Sequence, residues 1–336
     1  MKSRLMRLVS IPEGMPQPSN FKIEHEELGV PANGELLLKP IYISVDPYLR
    51  AAMSGGHPPN LNAGDIIISR GIAEVVRSSD KRFSQGDFVM GYMEWRDILI
   101  AKADGLIHLK NNALPLSAYL SVLGSTGLSA YFSLIEIGKP KRGETMIVSG
   151  AAGAVGSIAG QIGKILGCKV IGIVGSEEKA QLITSAFQFD AAINYKTNKD
   201  INATIQELCP EGIDIYFDNV GGTVSDAVIS NMNDYGRVIV CGTIADYNNT
   251  MKATGPRLLP LVVFKKLLIQ GFLIGDYKDR FEEGRRQLQH WLAEDKIHYT
   301  ETIMEGFEQL PDAFIGLFNG TNKGKMLVKI SSCTIY

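Results

Sequence analysis

Thr145-Met-Ile-Val-Ser-Gly-Ala-Ala-Gly-Ala-Val-Gly156 is the stretch on which the reading of the whole chain turns. Thr145 to Val148 predicts a buried strand, which runs into a glycine-punctuated turn and then a helix opening near Ala154. The first N–H groups of a helix have no partner within it and carry partial positive charge, so such a turn offers a docking point for a phosphate. Side chains there must be small if backbone is to approach a pyrophosphate, and Gly150, Ala151, Ala152, Gly153 and Gly156 are small. Alanine at 151 stands where the commoner fingerprint has its first glycine. Working outward, the helix carries Val155, Ile158, Ala159, Ile162, Ile165 and Leu166 on one face, and a second apolar strand follows from Lys169 to Val174. Strand, helix and strand form one βαβ unit of about thirty residues, the context a dinucleotide fingerprint requires. The plainer alternative is a turn that serves only close helix–strand packing. No Gly-Lys-Ser/Thr closes the turn, so it is not an ATP-type phosphate loop.

Downstream, strands at 145–149, 169–174, 191–193, 213–217, 237–241 and 268–273 alternate with helices centred on 155–166, 177–187, 200–208, 223–231 and 280–294. That alternation predicts a doubly wound parallel sheet of the Rossmann type. Gly124 to Ile135 is helical in period and leads into it. Upstream, from residue 1 to about 120, the chain reads as β-rich, with Met1 to Arg7 as a first strand. Leu36 to Val45, Asp65 to Ser69, Gly71 to Val76, Phe88 to Tyr92 and Asp97 to Ile100 continue the series. Gly and Pro between short strands suggest a partly open β-barrel. Beyond Ile303, an amphipathic helix (Leu310 to Phe318) and a strand (Lys325 to Ile330) return to that domain. The expected division is 1–122, completed by 301–336, and 123–300, giving an α/β chain of two domains. A length of 336 residues supports two cores rather than one.

A formal net charge of −2 gives no electrostatic reason to expect nucleic acid or an anionic membrane as partner. No apolar run reaches the length of about eighteen residues that a membrane span needs, and the N-terminus lacks a signal-peptide core, so a cytoplasmic location is expected. Cys168, Cys209, Cys241 and Cys333 show no C-x-x-C spacing, and His25, His57, His108, His290 and His298 are scattered. Neither a disulfide framework nor a structural or catalytic zinc site is expected, and no metal is assigned.

An NAD site usually has a carboxylate at the tip of its second strand, where it accepts the ribose hydroxyls. Here the tip is Gly175-Ser176, and Lys179 follows in the first turn of the next helix. Room, a hydroxyl donor and a cation suit a 2′-phosphate, which favours NADP over NAD. Tyr195, just past a short strand, could cover the same phosphate. Glu177 and Glu178 either bend back to the ribose or serve as first-turn acids that complement the helix dipole.

These residues resemble the zinc-independent medium-chain dehydrogenases/reductases, in particular the leukotriene B4 12-hydroxydehydrogenase/prostaglandin reductase type that includes the alkenal double-bond reductases. The resemblance covers essentially the whole chain. It is carried by Val45-Asp-Pro-Tyr-Leu-Arg50, Gly124-Ser-Thr-Gly-Leu-Ser-Ala-Tyr131, Ala151 to Gly156, Gly175-Ser-Glu-Glu-Lys179, Asn194-Tyr-Lys196, Tyr216-Phe-Asp-Asn-Val-Gly-Gly222, Cys241-Gly242 and Asn322-Lys-Gly-Lys325. It implies a GroES-like barrel plus a Rossmann domain, NADPH as cofactor, a homodimer, and reduction of the C=C bond of α,β-unsaturated aldehydes and ketones. Carried over, Ala152, Gly153, Ala154, Val155 and Gly156 would take the pyrophosphate, and Ser176, Lys179 and Tyr195 the 2′-phosphate region. Asn219 would contact the cofactor after the fourth Rossmann strand, and Cys241, Gly242, Thr243, Ile244 and Tyr247 would line the nicotinamide ribose. Phe272, Leu273 and Ile274 would flank the nicotinamide, and Asn322 would bond the cofactor. Around 252–262 the chain departs from a more proline-rich family loop that borders substrate, which puts acceptor preference in question.

Hydride transfer to the β-carbon of an enone builds negative charge on the carbonyl oxygen, and without a metal neutral donors must stabilise it. Tyr247 is the first candidate donor and Tyr48 the second; substrate packing is the other reading of Tyr247, and the nicotinamide ribose hydroxyl is a further donor. Asp46 and Arg50 read as paired or turn-capping residues before substrate ligands. Trp95 and Tyr92 suit a pocket wall or the barrel core equally. One carboxylate at Asp218 makes a poor metal site, and His57 in a Gly-Pro loop reads as an exposed side chain before a lid. Two other functions stay open: quinone reduction with NADPH, and a protein that holds NADPH without turnover.

Overall fold

The computed structural model describes residues 1–56, 60–109, 114–251 and 253–332. His57 and Cys333 lie outside the described residues. The chain forms two compact units, one of Met1–Leu120, Thr302–Asn322 and Met326–Tyr336, the other of Ser121–Glu301 and Lys323–Lys325.

The first unit is built from β1 (Lys2–Leu8), β2 (Phe21–Glu27), β3 (Glu35–Ser44), helix α1 (Tyr48–Met53), β4 (Ile68–Ser78), β5 (Phe88–Glu94), β6 (Leu99–Lys102) and β7 (Ile107–Leu109). β1 and β2 pair as an antiparallel hairpin. β3 is the spine of a larger sheet: β4 runs along one edge, while its other edge is shared by two strands. Glu35–Leu38 pairs with β6, and Tyr42–Ser44 pairs with a C-terminal strand. Pro40 lies between these stretches, at a register shift against β4; a residue with no N–H is placed where the ladder breaks. The two strands expected across 65–76 are instead one strand through Gly71. A Cβ at Gly71 would lie 2.9 Å from Ile43 Cδ1 and 3.1 Å from the Tyr42 carbonyl oxygen, so this glycine admits a close neighbour rather than a turn.

The second unit opens with α2 (Ser125–Ser133) and continues through β8 (Thr145–Ser149), α3 (Gly156–Ile165), β9 (Lys169–Val174), α4 (Glu177–Ser185), β10 (Ala191–Asn194), α5 (Ile201–Leu208), β11 (Ile213–Asp218), α6 (Gly222–Ser230), β12 (Met232–Val240), α7 (Leu259–Lys265), β13 (Leu268–Gly271) and α8 (Phe281–Ala293). Its six strands run in the order β10-β9-β8-β11-β12-β13, all parallel. The order reverses at β8, so the crevice beyond the C-terminal ends of β8 and β11 is the ligand position of a doubly wound sheet. Every residue of β8 is buried because helices cover both faces. Removing Ile147 to alanine would cost about 2–5 kcal/mol.

β14 (Glu301–Glu305), α9 (Leu310–Asn319) and β15 (Lys325–Lys329) end the chain, with β15 antiparallel to β3. The short helix α7 is absent from the sequence reading. Its residues are all at least partly exposed, so it has no buried stripe to give a helical period. No helix among the described residues is long and apolar enough to cross a membrane.

Candidate active site

The turn after β8 is closed by its own backbone: Gly153 N–H donates to Gly150 O at 2.9 Å, and Ala151 N–H to Ile173 O at 3.1 Å. This local closure delays the helix, which starts at Gly156 rather than near Ala154. A Cβ at Gly156 would sit 2.4 Å from Gly150 O, so any side chain there would force the turn open. Ala152 is buried, whereas Gly153, Ala154 and Val155 are half-buried at the helix start. Within that start, Ser157 N–H donates to Gly153 O at 3.1 Å and Ala159 N–H to Val155 O at 2.9 Å; the positive end of a helix is where a phosphate is favoured.

A second turn, after β11, is tied to the first through Asp218, which is 3% exposed. Its Oδ1 accepts from Ser149 Oγ (2.9 Å), Tyr216 Oη (2.8 Å), Val220 N–H (2.9 Å) and Gly221 N–H (3.0 Å), and its Oδ2 from Ser225 Oγ (2.7 Å). Burial and the Asp218 charge push the Tyr216 hydroxyl well above its ordinary value, which keeps it a donor. Asn219 closes the link, donating its N–H to Ser149 Oγ at 2.9 Å and its Nδ2 to Ser149 O at 2.7 Å. The carboxylate expected to be a poor metal ligand is thus a structural node.

The loop after β12 hangs from the same place. Cys241 and Gly242 N–H donate to Asp218 O at 2.8 and 3.2 Å, and Ala245 N–H to Val220 O at 3.0 Å. Tyr247 folds back over this loop, its Oη 3.4 Å from where a Cβ on Gly242 would lie. Burial raises the Tyr247 hydroxyl above its ordinary value, opposed by a backbone hydrogen bond from Thr243. Burial and Asp218 push the Cys241 thiol up to about 12, and burial also raises Cys168 to about 11 and Cys209. Beyond β13, Phe272 and Ile274 are half-buried and Leu273 is exposed.

At the tip of β9, Gly175 is roofed by its neighbours. A Cβ there would lie 3.1 Å from Tyr195 Cε1 and 3.4 Å from Lys196 Cε, so these two side chains crowd the position an NAD-type carboxylate would occupy. Ser176 caps α4, accepting Lys179 N–H at 3.3 Å. Glu177 is turned toward the end of β10, where Asn194 Nδ2 donates to it at 2.7 Å, and Glu178 pairs with Lys323. Lys179 is half-buried, and burial, then Lys196 and Lys323, hold its ammonium below the ordinary lysine value against the pull of Glu178. Sequence reading assigned Lys179 and Tyr195 to this corner but gave no role to Lys196, Lys323 or Ser149.

In the sheet unit, Tyr48 packs against the core from the start of α1, and burial, then Asp46, raises its hydroxyl. Ser44 Oγ donates to Asp46. Arg50 is buried, donating to Pro12 O at 3.0 Å, Gly14 O at 3.2 Å and Ser54 Oγ; it fastens the 12–14 loop to α1. Trp95 is fully buried with Nε1 donating to Ser69 Oγ at 2.8 Å, a core residue. Tyr92 is 55% exposed, with the Arg70 guanidinium over its ring.

Residues 4–109 match the family model described as the N-terminal domain of oxidoreductase, and residues 154–290 match zinc-binding dehydrogenase. The chain is 40% identical to the NADPH-dependent curcumin reductase of Escherichia coli, over 98% of this chain and 97% of that one. The chain belongs to the medium-chain dehydrogenase/reductase family, in its alkenal double-bond reductase branch. The NADP(+)-dependent 2-alkenal reductase of Nicotiana tabacum is 38% identical, covering 95% of this chain and 94% of its own. The crystal structure of CurA from Vibrio vulnificus in complex with NADPH superposes with a TM-score of 0.92, at 38% identity over 98% of this chain and 99% of that one. Among the described residues no three His, Cys, Asp or Glu side chains are grouped to hold a metal ion.

Proposed function

We propose that the protein is an NADPH-dependent reductase of the C=C bond of α,β-unsaturated aldehydes and ketones. The observation that carries this reading is near full-length identity of about two residues in five to the curcumin and 2-alkenal reductases. The absence of a carboxylate at the crowded Gly175-Ser176 tip, with Lys179 in the first turn beyond it, supports the phosphorylated cofactor over NAD. In this reading the 152–156 turn holds the pyrophosphate. Lys179, Ser176 and Tyr195 hold the 2′-phosphate; Asn219, the 241–247 loop, the 272–274 segment and Asn322 hold the rest.

When bound, NADPH supplies a hydride to the β-carbon. The electron pair of the C=C bond moves toward the carbonyl, the oxygen gains negative charge, and a proton taken from solvent at the α-carbon gives the saturated product. Tyr247 and Tyr48 are phenols, protonated at neutral pH at the ordinary tyrosine value and raised further by burial, so in this reading each hydroxyl is a donor for that oxygen. The burial-raised thiols of Cys168, Cys209 and Cys241 matter too: an enal alkylates thiolates, and these three are held as thiols.

The test is cofactor oxidation with a 2-alkenal, with a quinone, and with no acceptor. Oxidation with the alkenal, giving the saturated aldehyde and indifferent to chelator, is expected. An allylic alcohol as product, or oxidation with the quinone alone, would overturn the reading. Tyr247→Phe should lower kcat roughly 10- to 100-fold with little change in NADPH affinity; an unchanged kcat assigns the oxygen to Tyr48 or to the ribose.

A cytoplasmic homodimer is part of the proposal. β13 is an edge of the parallel sheet, and on α7, which precedes it and packs against β12, Leu259, Val263 and Phe264 are 78%, 71% and 77% exposed. An unpaired edge beside an apolar patch supports pairing with a second copy. Light scattering should give twice the chain mass, and Phe264→Asp should give a monomer.

A further inference from the structure

Ser149, the last residue of β8, is fully buried, and it meets the turn after β11 in three ways. Val148 pairs with Phe217 across the parallel ladder, so the residues that follow, Ser149 and Asp218, leave the sheet side by side. Ser149 Oγ gives its proton to Asp218 Oδ1 at 2.9 Å. A carboxylate only accepts, so this hydroxyl faces Asn219 as an acceptor, and it takes the Asn219 N–H at 2.9 Å. The Ser149 carbonyl takes Asn219 Nδ2 at 2.7 Å. A carbonyl cannot donate, so turning the carboxamide over would set two oxygens against each other. The sense of the Asn219 side chain is thereby fixed, with Oδ1 turned away from Ser149 O. Among the described residues no donor meets that oxygen.

Asn219 also lies against the phosphate turn: a Cβ on Gly150, the first residue of the turn, would sit 3.4 Å from Asn219 Cβ. β9 and β11 flank β8 on opposite sides, and the corner proposed for the 2′-phosphate is at the tip of β9. A dinucleotide whose pyrophosphate rests on the turn after β8 therefore lays its second nucleotide toward β11 and Asn219. On that side the next polar groups beyond the pyrophosphate are ribose hydroxyls. An amide oxygen repels a phosphate and accepts from a hydroxyl. Resting on the NADPH reading above, we propose that Ser149 is a positioning residue for the nicotinamide half of the cofactor: it holds Asn219 Oδ1 as the acceptor for a hydroxyl of the nicotinamide ribose.

Equilibrium binding to the full-length protein tests this without turnover, with NADPH and with adenosine 2′,5′-bisphosphate, which lacks the nicotinamide nucleoside. Asn219→Leu should weaken NADPH about tenfold (about 1.4 kcal/mol) and the bisphosphate less than about twofold. Ser149→Ala should weaken NADPH about threefold to tenfold and again spare the bisphosphate. Asp218 Oδ1 keeps its donors from Tyr216, Val220 and Gly221 in that variant. The double variant should bind NADPH as Asn219→Leu does, because without the carboxamide Ser149 has nothing to aim. An NADPH analogue with no hydroxyls on its nicotinamide ribose carries the same test to the wild type. It should bind about tenfold more weakly than NADPH there, and Asn219→Leu should bind the two alike. Equal losses of NADPH and bisphosphate in Ser149→Ala would overturn the proposal by making Ser149 a support of the phosphate turn. Additive losses in the double variant would overturn it too, as would a wild type that binds NADPH and the analogue equally. A wild type that binds neither NADPH nor the bisphosphate would instead sink the cofactor reading, and this inference with it.

Discussion

Two charged centres flank the dinucleotide turn, and they are built on opposite principles. Asp218 is one buried anion met by donors at every turn, from Ser149, Tyr216, Val220, Gly221 and Ser225. The corner of Lys179, Lys196 and Lys323 is a group of cations near the surface, with Glu178 paired to Lys323. The buried anion ties two turns together; the cations stand at the corner that the proposal gives to the 2′-phosphate. The distinction separates residues that hold the turns in place from residues proposed to meet the cofactor, although both lie at the C-terminal edge of one sheet.

The largest expected effect breaks the first centre. Asp218→Ala would strand buried hydroxyls and two backbone N–H groups and should lower unfolding stability by at least about 3 kcal/mol, measured by denaturant without cofactor. A loss under about 1 kcal/mol would mean the donors find other partners, and the contrast between the centres would collapse.

The corresponding change at the second centre should be silent in stability and loud in binding. Lys179→Ala removes a charge-assisted contact and should weaken NADPH about 10- to 100-fold while NADH changes little. The empty protein should be no less stable, since relief from burial and from two neighbouring ammonium groups offsets lost packing. Matching losses for both cofactors would show that Lys179 shapes the corner without reading the phosphate.

How much of this was legible in the sequence follows from the range of each interaction. The β8–α3–β9 unit and its small-residue turn read correctly because strand period, helix period and glycine spacing are local signals. Lys179 was visible because it lies four residues beyond the tip of β9. Lys323 was not, because it approaches Lys179 only through a bridge between Gly153 and Gly324, which no local pattern encodes. The Asp218 node depends on β8 and β11 being sheet neighbours, so Ser149 carried no signal of its own. Gly71 was misread because a glycine that admits a neighbouring strand and one that makes a turn look alike in sequence. Arg50 and Trp95 offered two readings each; only burial and hydrogen bonds chose between them.

The smallest effect sharpens the comparison through pH. Tyr216 has its folded value raised above that of the unfolded chain, by burial and then by Asp218. Its contribution is therefore full below the ordinary tyrosine value and is lost as pH rises toward the folded one. Lys179 has its folded value lowered from the ordinary 10.5, by burial and then by Lys196 and Lys323. Between the lowered value and 10.5 the unfolded chain holds more protons at this site, so the Lys179 contribution to stability rises with pH across that window. NADPH affinity should move the other way over the same window, because a phosphate favours the ammonium form and the neutral amine must take up a proton to bind it. Wild type minus Lys179→Gln isolates both trends: the stability difference should climb and the NADPH difference should shrink as pH increases toward 10.5. Parallel slopes in the two difference curves would mean that Lys179 does not meet the phosphate, and that its lowered value reflects burial alone.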